Sequence, residues 1–218
     1  MSHYINRLRM PVTLENQGTN LFYSFNFGPA HFVLINSEVY FDERLYPSIE
    51  THDNWLIKDL KQANLNRENV PWIFVFNHRA LYCSNGKKDC VDESLVLRKH
   101  IENILYENSV DIMFQVVVHN YERCIAIYNK KRIIGANDTY NNYYYLKVVM
   151  YHEKGNAGKF KSHNDPFIRN KDEWHIFGSE SYGYGRLKIY NKTHVYYEQF
   201  SSEKGEEIDY FWVIKDKN

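Results

Sequence analysis

The chain has 218 residues, 27 basic and 27 acidic side chains, a formal net charge of zero and a mean hydropathy of -0.60. Balanced charge removes the electrostatic basis for a nucleic-acid or anionic-membrane partner, and no apolar run approaches the ~20 residues of a membrane span. Met1 to Arg7 lack the apolar segment of a leader, so no signal peptide is expected in the sequence as it stands. The length suits one large domain, 1–218, with room for a true core. Aromatic residues are the outlier at 17%, 19 of them Tyr, which favours a β-rich soluble domain.

In chain order, Leu21 to Phe27 alternates and is rich in aromatics, Gly28-Pro29 makes a turn, and His31 to Asn36 is an apolar run. Together they predict a β-hairpin. Asp53 to Ala63 sets Trp55, Leu56 and Leu60 at helical spacing with charge opposite. Pro71 to Phe76 reads as a buried strand ending at Asn77-His78-Arg79. A second helix over about Asp92 to Glu107 carries Leu95, Leu97, Ile101, Ile104 and Leu105, and Val110 to Val118 is another buried strand, ending at His119-Asn120. Strand–helix–strand–helix–strand is the order of a right-handed parallel α/β unit. Functional groups in such sheets sit past the carboxyl ends of the strands, where both His78 and His119 fall. The Asn/Tyr-rich run Thr139 to Tyr145 reads as a surface loop. Beyond Leu146, Val148 to Tyr151, Arg186 to Tyr190, His194 to Phe200 and Tyr210 to Ile214 predict an antiparallel meander closing a second sheet.

Of the ten histidines, His3, His52, His100, His163 and His175 stand in polar surroundings and read as solvated, while His31 and His194 open strands and read as structural. His78 and His119 differ by position alone: each is a metal-ligand candidate, with a structural role as the alternative. Cys83 and Cys90 have six residues between them and no second Cys pair to make a zinc ribbon. A local disulfide, worth up to about 2.5 kcal/mol in loop entropy, is favoured over two reduced thiols, and implies an oxidising compartment. Cys124 is left over and expected to be buried. Asn137-Asp138-Thr139 and Asn191-Lys192-Thr193 are glycosylation sequons that agree with a secretory route.

Many short segments in order carry a resemblance: Asn6-Arg7 with Met10-Pro11, Asn20 to Phe25, Gly28 to Phe32, Trp55-Leu56 with Lys58-Asp59-Leu60, Pro71-Trp72-Ile73, His78-Arg79, Tyr82 to Asn85, Asp89-Cys90, His119 to Arg123, Tyr182-Gly183-Tyr184, Asn191 to His194 and Trp212-Val213. On these the chain resembles the carboxyl-terminal part of an animal-type purple acid phosphatase, a dinuclear metallophosphatase. The resemblance implies an α/β fold, a metallophosphatase-like α/β/β/α sandwich lacking its amino-terminal part. It also implies metal-dependent hydrolysis of phosphate monoesters at acid pH, and a secreted or lysosomal location. The implied cofactor is a centre of iron with a second iron, zinc or manganese, in which paired metals clamp the phosphate and lower the pKa of a bound water.

That family holds its metals with seven ligands in five motifs: Asp-x-Gly, Gly-Asp-x-x-Tyr, Gly-Asn-His-Glu, Val-x-x-His and Gly-His-x-His. Val75-Phe76-Asn77-His78 fits the fourth, making His78 the matching ligand. Val116-Val117-Val118-His119 falls on the fifth, with His119 as its second histidine and Val117 in place of its first. Nine residues precede Met10-Pro11, and none of the first three motifs is among them. Two ligands of seven remain, one for each metal. Ala80 stands for a common proline, Gly178 for an arginine, and Gly155 to Lys159 for a Gly-Ser-Ala-Gly-Cys segment. The expectation is a homologue that, in these 218 residues, holds no metal pair and is inactive or severely impaired. The alternatives are a fragment of an active acid phosphatase, for which a phosphomonoester would be the substrate, and a secreted non-catalytic binding module. The missing part would leave a sheet edge and an apolar face uncovered, so the chain is expected either to pair with a second copy or another protein or to be marginally stable by itself.

Overall fold

The computed structural model describes residues 7–11, 20–84, 88–116, 119–135, 137–144, 150–154 and 173–215. The hairpin forms as β1 (Tyr23–Phe27) and β2 (Ala30–Leu34), antiparallel with Phe27 opposite Ala30. Gly28 takes φ +56° at the turn, a left-handed value that glycine adopts without strain. Two 3₁₀ turns, Ser37–Tyr40 and Glu43–Ser48, lead into α1 (Ile49–Leu65), which buries His52, Trp55, Leu56, Leu60 and Ala63 along one stripe. Then come β3 (Trp72–Asn77), a second helical segment over 89–107, and β4 (Ile112–Gln115).

That second segment is not uniform. π turns at Asp89–Glu93 and Arg98–Glu102 alternate with α turns at Ser94–Leu97 and Asn103–Glu107. Leu97, Ile101 and Leu105 follow one stripe four residues apart and are buried, whereas Leu95 and Val96 face solvent. Leu95 therefore does not join the core, because it lies half a turn away from that stripe.

β2, β3 and β4 are neighbours and parallel, in register Ala30–Trp72 and Phe74–Ile112. With crossovers of the usual hand, both helical segments cover one face of this sheet; His100 Nδ1 on the second lies 3.7 Å from Asp53 Oδ2 on the first. The remaining strands, in chain order, are β5 (Tyr121–Cys124), the short pair β6 (Ile127–Tyr128) and β7 (Lys131–Arg132), β8 (Asn142–Tyr144), β9 (Met150–Lys154), β10 (His175–Ser179), β11 (Gly183–Ile189), β12 (His194–Ser201) and β13 (Glu206–Ile214). The first sheet runs β1-β2-β3-β4-β9-β5-β10 and the second β11-β12-β13-β8.

Two sequence expectations change here. β9 lies parallel to β4 inside the first sheet and is no part of the meander. The Thr139 to Tyr145 run is not simply a surface loop: β8 pairs parallel with β13, and Tyr143 is buried against Phe211 and the Arg123 guanidinium. Tyr145 itself lies outside the described residues, as do His3, His163 and Gly155 to Lys159. The β11–β12–β13 part of the meander is antiparallel as expected.

The inner faces of the two sheets meet through Phe114, Tyr121, Tyr197 and Phe211. Buried among them, Arg123 donates from Nε and Nη2 to the two oxygens of Asp209 (2.8 and 3.0 Å), and Tyr121 donates to Asp209 Oδ2 at 2.7 Å. Full pairing is what makes such a buried cation and carboxylate tolerable. Helices, first sheet and second sheet make three layers; among the described residues no helix covers the outer face of the second sheet.

Of the histidines read as solvated, His52 is buried, and His100 and His175 are part-exposed with specific partners. His52 is fully buried, its ring edge-on to Phe22 and Tyr40, and its Nδ1 lies 3.0 Å from both Tyr40 Oη and Asp53 Oδ1. His100 stacks on Tyr40 with centroids 4.5 Å apart, and His175 Nδ1 donates to the buried Glu122 carboxylate at 2.7 Å. His31 is structural as expected, held between Asn26 and Asp59 at 2.7 and 2.8 Å.

Candidate functional site

The carboxyl ends of β2, β3 and β4 open into a groove of about 490 Å³. Its walls include Ile35, Phe76, Phe114 and Val116, with His78 at the mouth of β3 and Tyr184 of β11 across the gap. Gly183, also in the lining, lets β11 press against its neighbour β12, since a Cβ there would sit 2.1 Å from the Phe200 carbonyl oxygen.

The turn after β3 is tightly held. Asn77 Nδ2 donates to the Arg79 carbonyl at 2.5 Å, while its buried Oδ1 has no hydrogen-bond partner among the described residues. The His78 carbonyl accepts from Val116 N at 3.2 Å, joining the ends of β3 and β4. Arg79 points away from the groove. Its Nε and Nη2 donate to the two oxygens of Glu38 at 2.7 and 2.9 Å, Nη1 donates to Glu93, and its guanidinium lies over Phe41. The Glu38 carboxylate first, against the opposing effect of burial, and then Glu93 raise its pKa well beyond the usual arginine value, so the cation is permanent but already neutralised.

The next stretch is clamped from beneath. Gln115, fully buried, accepts from Leu81 N at 2.8 Å and donates to the Tyr82 carbonyl at 2.6 Å. Glu122 accepts from Ser84 N at 3.0 Å. Tyr82 donates to Glu102 at 2.5 Å, and burial, then that carboxylate, pushes the phenol's pKa up. Cys83 and Cys90 form the disulfide expected from their spacing, with Cα atoms 5.4 Å apart, and Cys124 is buried and in no disulfide. Gln115, Glu122 and Arg79 were not singled out as positioning residues in the sequence, where a polar residue ending an apolar strand carries no mark of the backbone it clamps.

The structure places His78 in the groove, exposed. His119 lies four residues past the end of β4, half-buried and outside the groove's lining. Residues 117 and 118, and with them the Val117 substitution, lie outside the described residues. Among the described residues no carboxylate lines the groove, and no group of three or more His, Cys, Asp or Glu is placed to hold a metal. An ion of this type takes three or four protein ligands. Among the described residues, two imidazoles with no carboxylate between them do not by themselves fit a dinuclear centre.

Residues 150–210 match the family described as iron/zinc purple acid phosphatase-like protein C. Over its whole length the chain is 34% identical to acid phosphatase type 7 of Danio rerio, covering 51% of that protein. It is 33% identical to the Homo sapiens protein of that name, over 98% of the chain and 50% of the relative. The chain is a homologue of the purple acid phosphatases. It spans about half the length of the curated relatives it matches. The fold agrees: the yellow lupin purple acid phosphatase PPD1 superposes with a TM-score of 0.73 at 23% identity, over 89% of this chain and 33% of that one. GAP50, the anchor in the inner membrane complex of Plasmodium, superposes with a TM-score of 0.55 at 18% identity, over 90% of this chain and 54% of its own. As a purple acid phosphatase homologue, the chain puts the His of its Val-x-x-His segment at the mouth of the groove between the two sheets.

Proposed function

We propose that these 218 residues form a single metallophosphatase-like domain that keeps the carboxyl-terminal scaffold of a purple acid phosphatase without its hydrolytic chemistry. The observation that carries this reading is the groove itself. Its walls are apolar, His78 is the one imidazole among the described residues that line it, and the neighbouring Arg79 is committed to Glu38 and Glu93. A phosphate dianion entering it would meet neither a metal pair nor a free guanidinium, the two devices that stabilise transferring phosphoryl groups. His78 and His119 supply one ligand position to each metal of the family's pair, and Val117 withdraws a third. The test is metal content and turnover of an aryl phosphate by the purified chain after incubation with iron and zinc. Fewer than one tightly held ion per chain and no turnover above buffer are expected.

A second reading is a fragment of an active acid phosphatase, favoured by the relatives being about twice as long. In it His78 and His119 are working ligands and the substrate is a phosphomonoester. Val117→His, made in a chain extended by a relative's upstream half, separates the two readings: activity with Val117 in place supports the fragment, and activity only in the Val117→His variant supports loss of chemistry. A non-catalytic binding role has fold-level support alone, since the Plasmodium chain of this fold is an anchor. The Cys83–Cys90 disulfide and the Asn137 and Asn191 sequons favour a secretory or lysosomal route.

A further inference from the structure

The outer face of the second sheet carries a continuous aromatic strip that no helix covers among the described residues. Strand alternation turns Tyr196 and Phe200 of β12 and Tyr210 and Trp212 of β13 onto that face. Trp212 lies 4.8 Å from Tyr196 and 5.1 Å from Tyr190, and Tyr196 lies 5.9 Å from Tyr210, centroid to centroid. Tyr190 and Tyr210 are 59% and 41% exposed, so the strip is open to a ligand. Arg186 and Lys188 border the middle of the strip, both within 2.7 Å of Glu198, with the Lys188 ammonium 5.5 Å from the Tyr196 ring centroid. The open aromatic end is the one at the β11–β12 turn.

Asn191 is in that turn, directly after Tyr190, and begins the sequon Asn191-Lys192-Thr193. Its side-chain oxygen accepts from Thr193 N, Thr193 Oγ1 and His194 N at 2.8, 3.0 and 2.8 Å, and its carbonyl accepts from Trp72 Nε1 at 2.9 Å. The amide oxygen is thus turned into the loop. Nδ2, the atom that would bear a sugar, has no partner among the described residues, and Asn191 is exposed. The turn is anchored to Trp72, the first residue of β3, and so lies at the opposite end of the sandwich from the His78 groove.

We propose that Asn191 carries an N-linked glycan whose first sugars stack on the Tyr190–Trp212 end of the aromatic strip. The inference rests on the secretory reading and is independent of whether the groove hydrolyses phosphate. Attachment transfers the oligosaccharide from a lipid-linked oligosaccharide diphosphate: the sugar C1–O bond to the diphosphate breaks, a C1–N bond to Asn191 Nδ2 forms, and the amide proton leaves with the diphosphate. A pyranose offers a face of C–H groups to an aromatic ring and a rim of hydroxyls to phenol and carboxylate oxygens, which suits a strip of tyrosines bordered by Glu207. Such contacts are weak between free partners. A covalent tether one residue from the first ring replaces free concentration by a millimolar-range effective one.

The test produces the full chain through the secretory route of insect cells behind an added leader and maps occupancy at Asn137 and Asn191 by mass. Release of each glycan by amidase is then timed under native and denaturing conditions. Expected are sugar on Asn191, native release several-fold slower there than at Asn137, equal rates after denaturation, and loss of the native difference in Tyr190→Ala. Asn137 occupied with Asn191 bare overturns the proposal and spares the secretory reading, whereas both bare overturns the two together. Equal native rates, or a difference that Tyr190→Ala leaves intact, overturns the stacking. Intact folding of Tyr190→Ala, a surface substitution, is checked by its circular dichroism and by Asn137 release at the wild-type rate.

Discussion

Lys215, just past β13, reaches under the sandwich. Its ammonium donates to the Pro71 carbonyl, lies 2.8 Å from Asp111 Oδ1 and sits over the Trp72 ring, while Arg67 holds the other Asp111 oxygen at 2.6 Å. Burial first, opposed by Asp111 and reinforced by Arg67, pushes the Lys215 pKa down from 10.5 to about 8. Between those values the unfolded chain holds the extra proton, so this group makes stability rise with pH from about 8 to 10.5, by at most about 3 kcal/mol. Urea unfolding at several pH values therefore shows the wild type gaining on Lys215→Met as pH passes 8; a constant or shrinking difference contradicts the assignment. The Arg123–Asp209 pair behaves differently. Asp209→Asn strands a buried guanidinium and is expected to cost about 3–5 kcal/mol, a large share of the stability of such a domain and readable as a lower urea midpoint. Neither cluster is visible in the sequence, because its members lie up to 144 positions apart. His78 was legible, since position past an apolar strand locates it. His52 was not: a histidine among Thr, Asp and Asn reads as solvated, and only the helix face it shares with Trp55 and Leu56 buries it.

At the scale of elements, apolar periodicity located the hairpin, α1, β3 and β4 because each has one face committed to a single core. It misplaced β9, whose aromatic and β-branched surroundings suit either sheet equally, and it overlooked β8, where three Asn/Tyr residues pair in parallel with a strand some seventy positions away. Local composition holds no information about such partners. The disulfide was legible because both cysteines are local. It pins the loop after β3 to the first π turn, so the double substitution Cys83→Ser/Cys90→Ser is expected to lower stability by up to about 2.5 kcal/mol, measured as the shift in urea midpoint. Gln115 and Glu122 hold the same loop independently, so circular dichroism of that variant keeps the native spectrum in the absence of urea.

For the whole molecule, three layers stand around one core. The second sheet turns an aromatic face outward, and the groove between the sheets opens at the end away from that face's sequon. Gln115 and Glu122 clamp the backbone beneath the groove, while its walls are apolar. That combination is what the proposed loss of chemistry on a retained scaffold predicts. An uncovered sheet face of this kind favours association with another copy or another protein; sedimentation of the unglycosylated chain, with and without Tyr210→Lys, is expected to show self-association that the lysine weakens. Hydrolysis, or its loss, is decided at the groove. The most direct test is to load the purified chain with iron and zinc, dialyse, and measure both bound metal and hydrolysis of an aryl phosphate at acid pH. Substoichiometric metal and no turnover are predicted; close to two ions per chain with steady turnover would contradict the account.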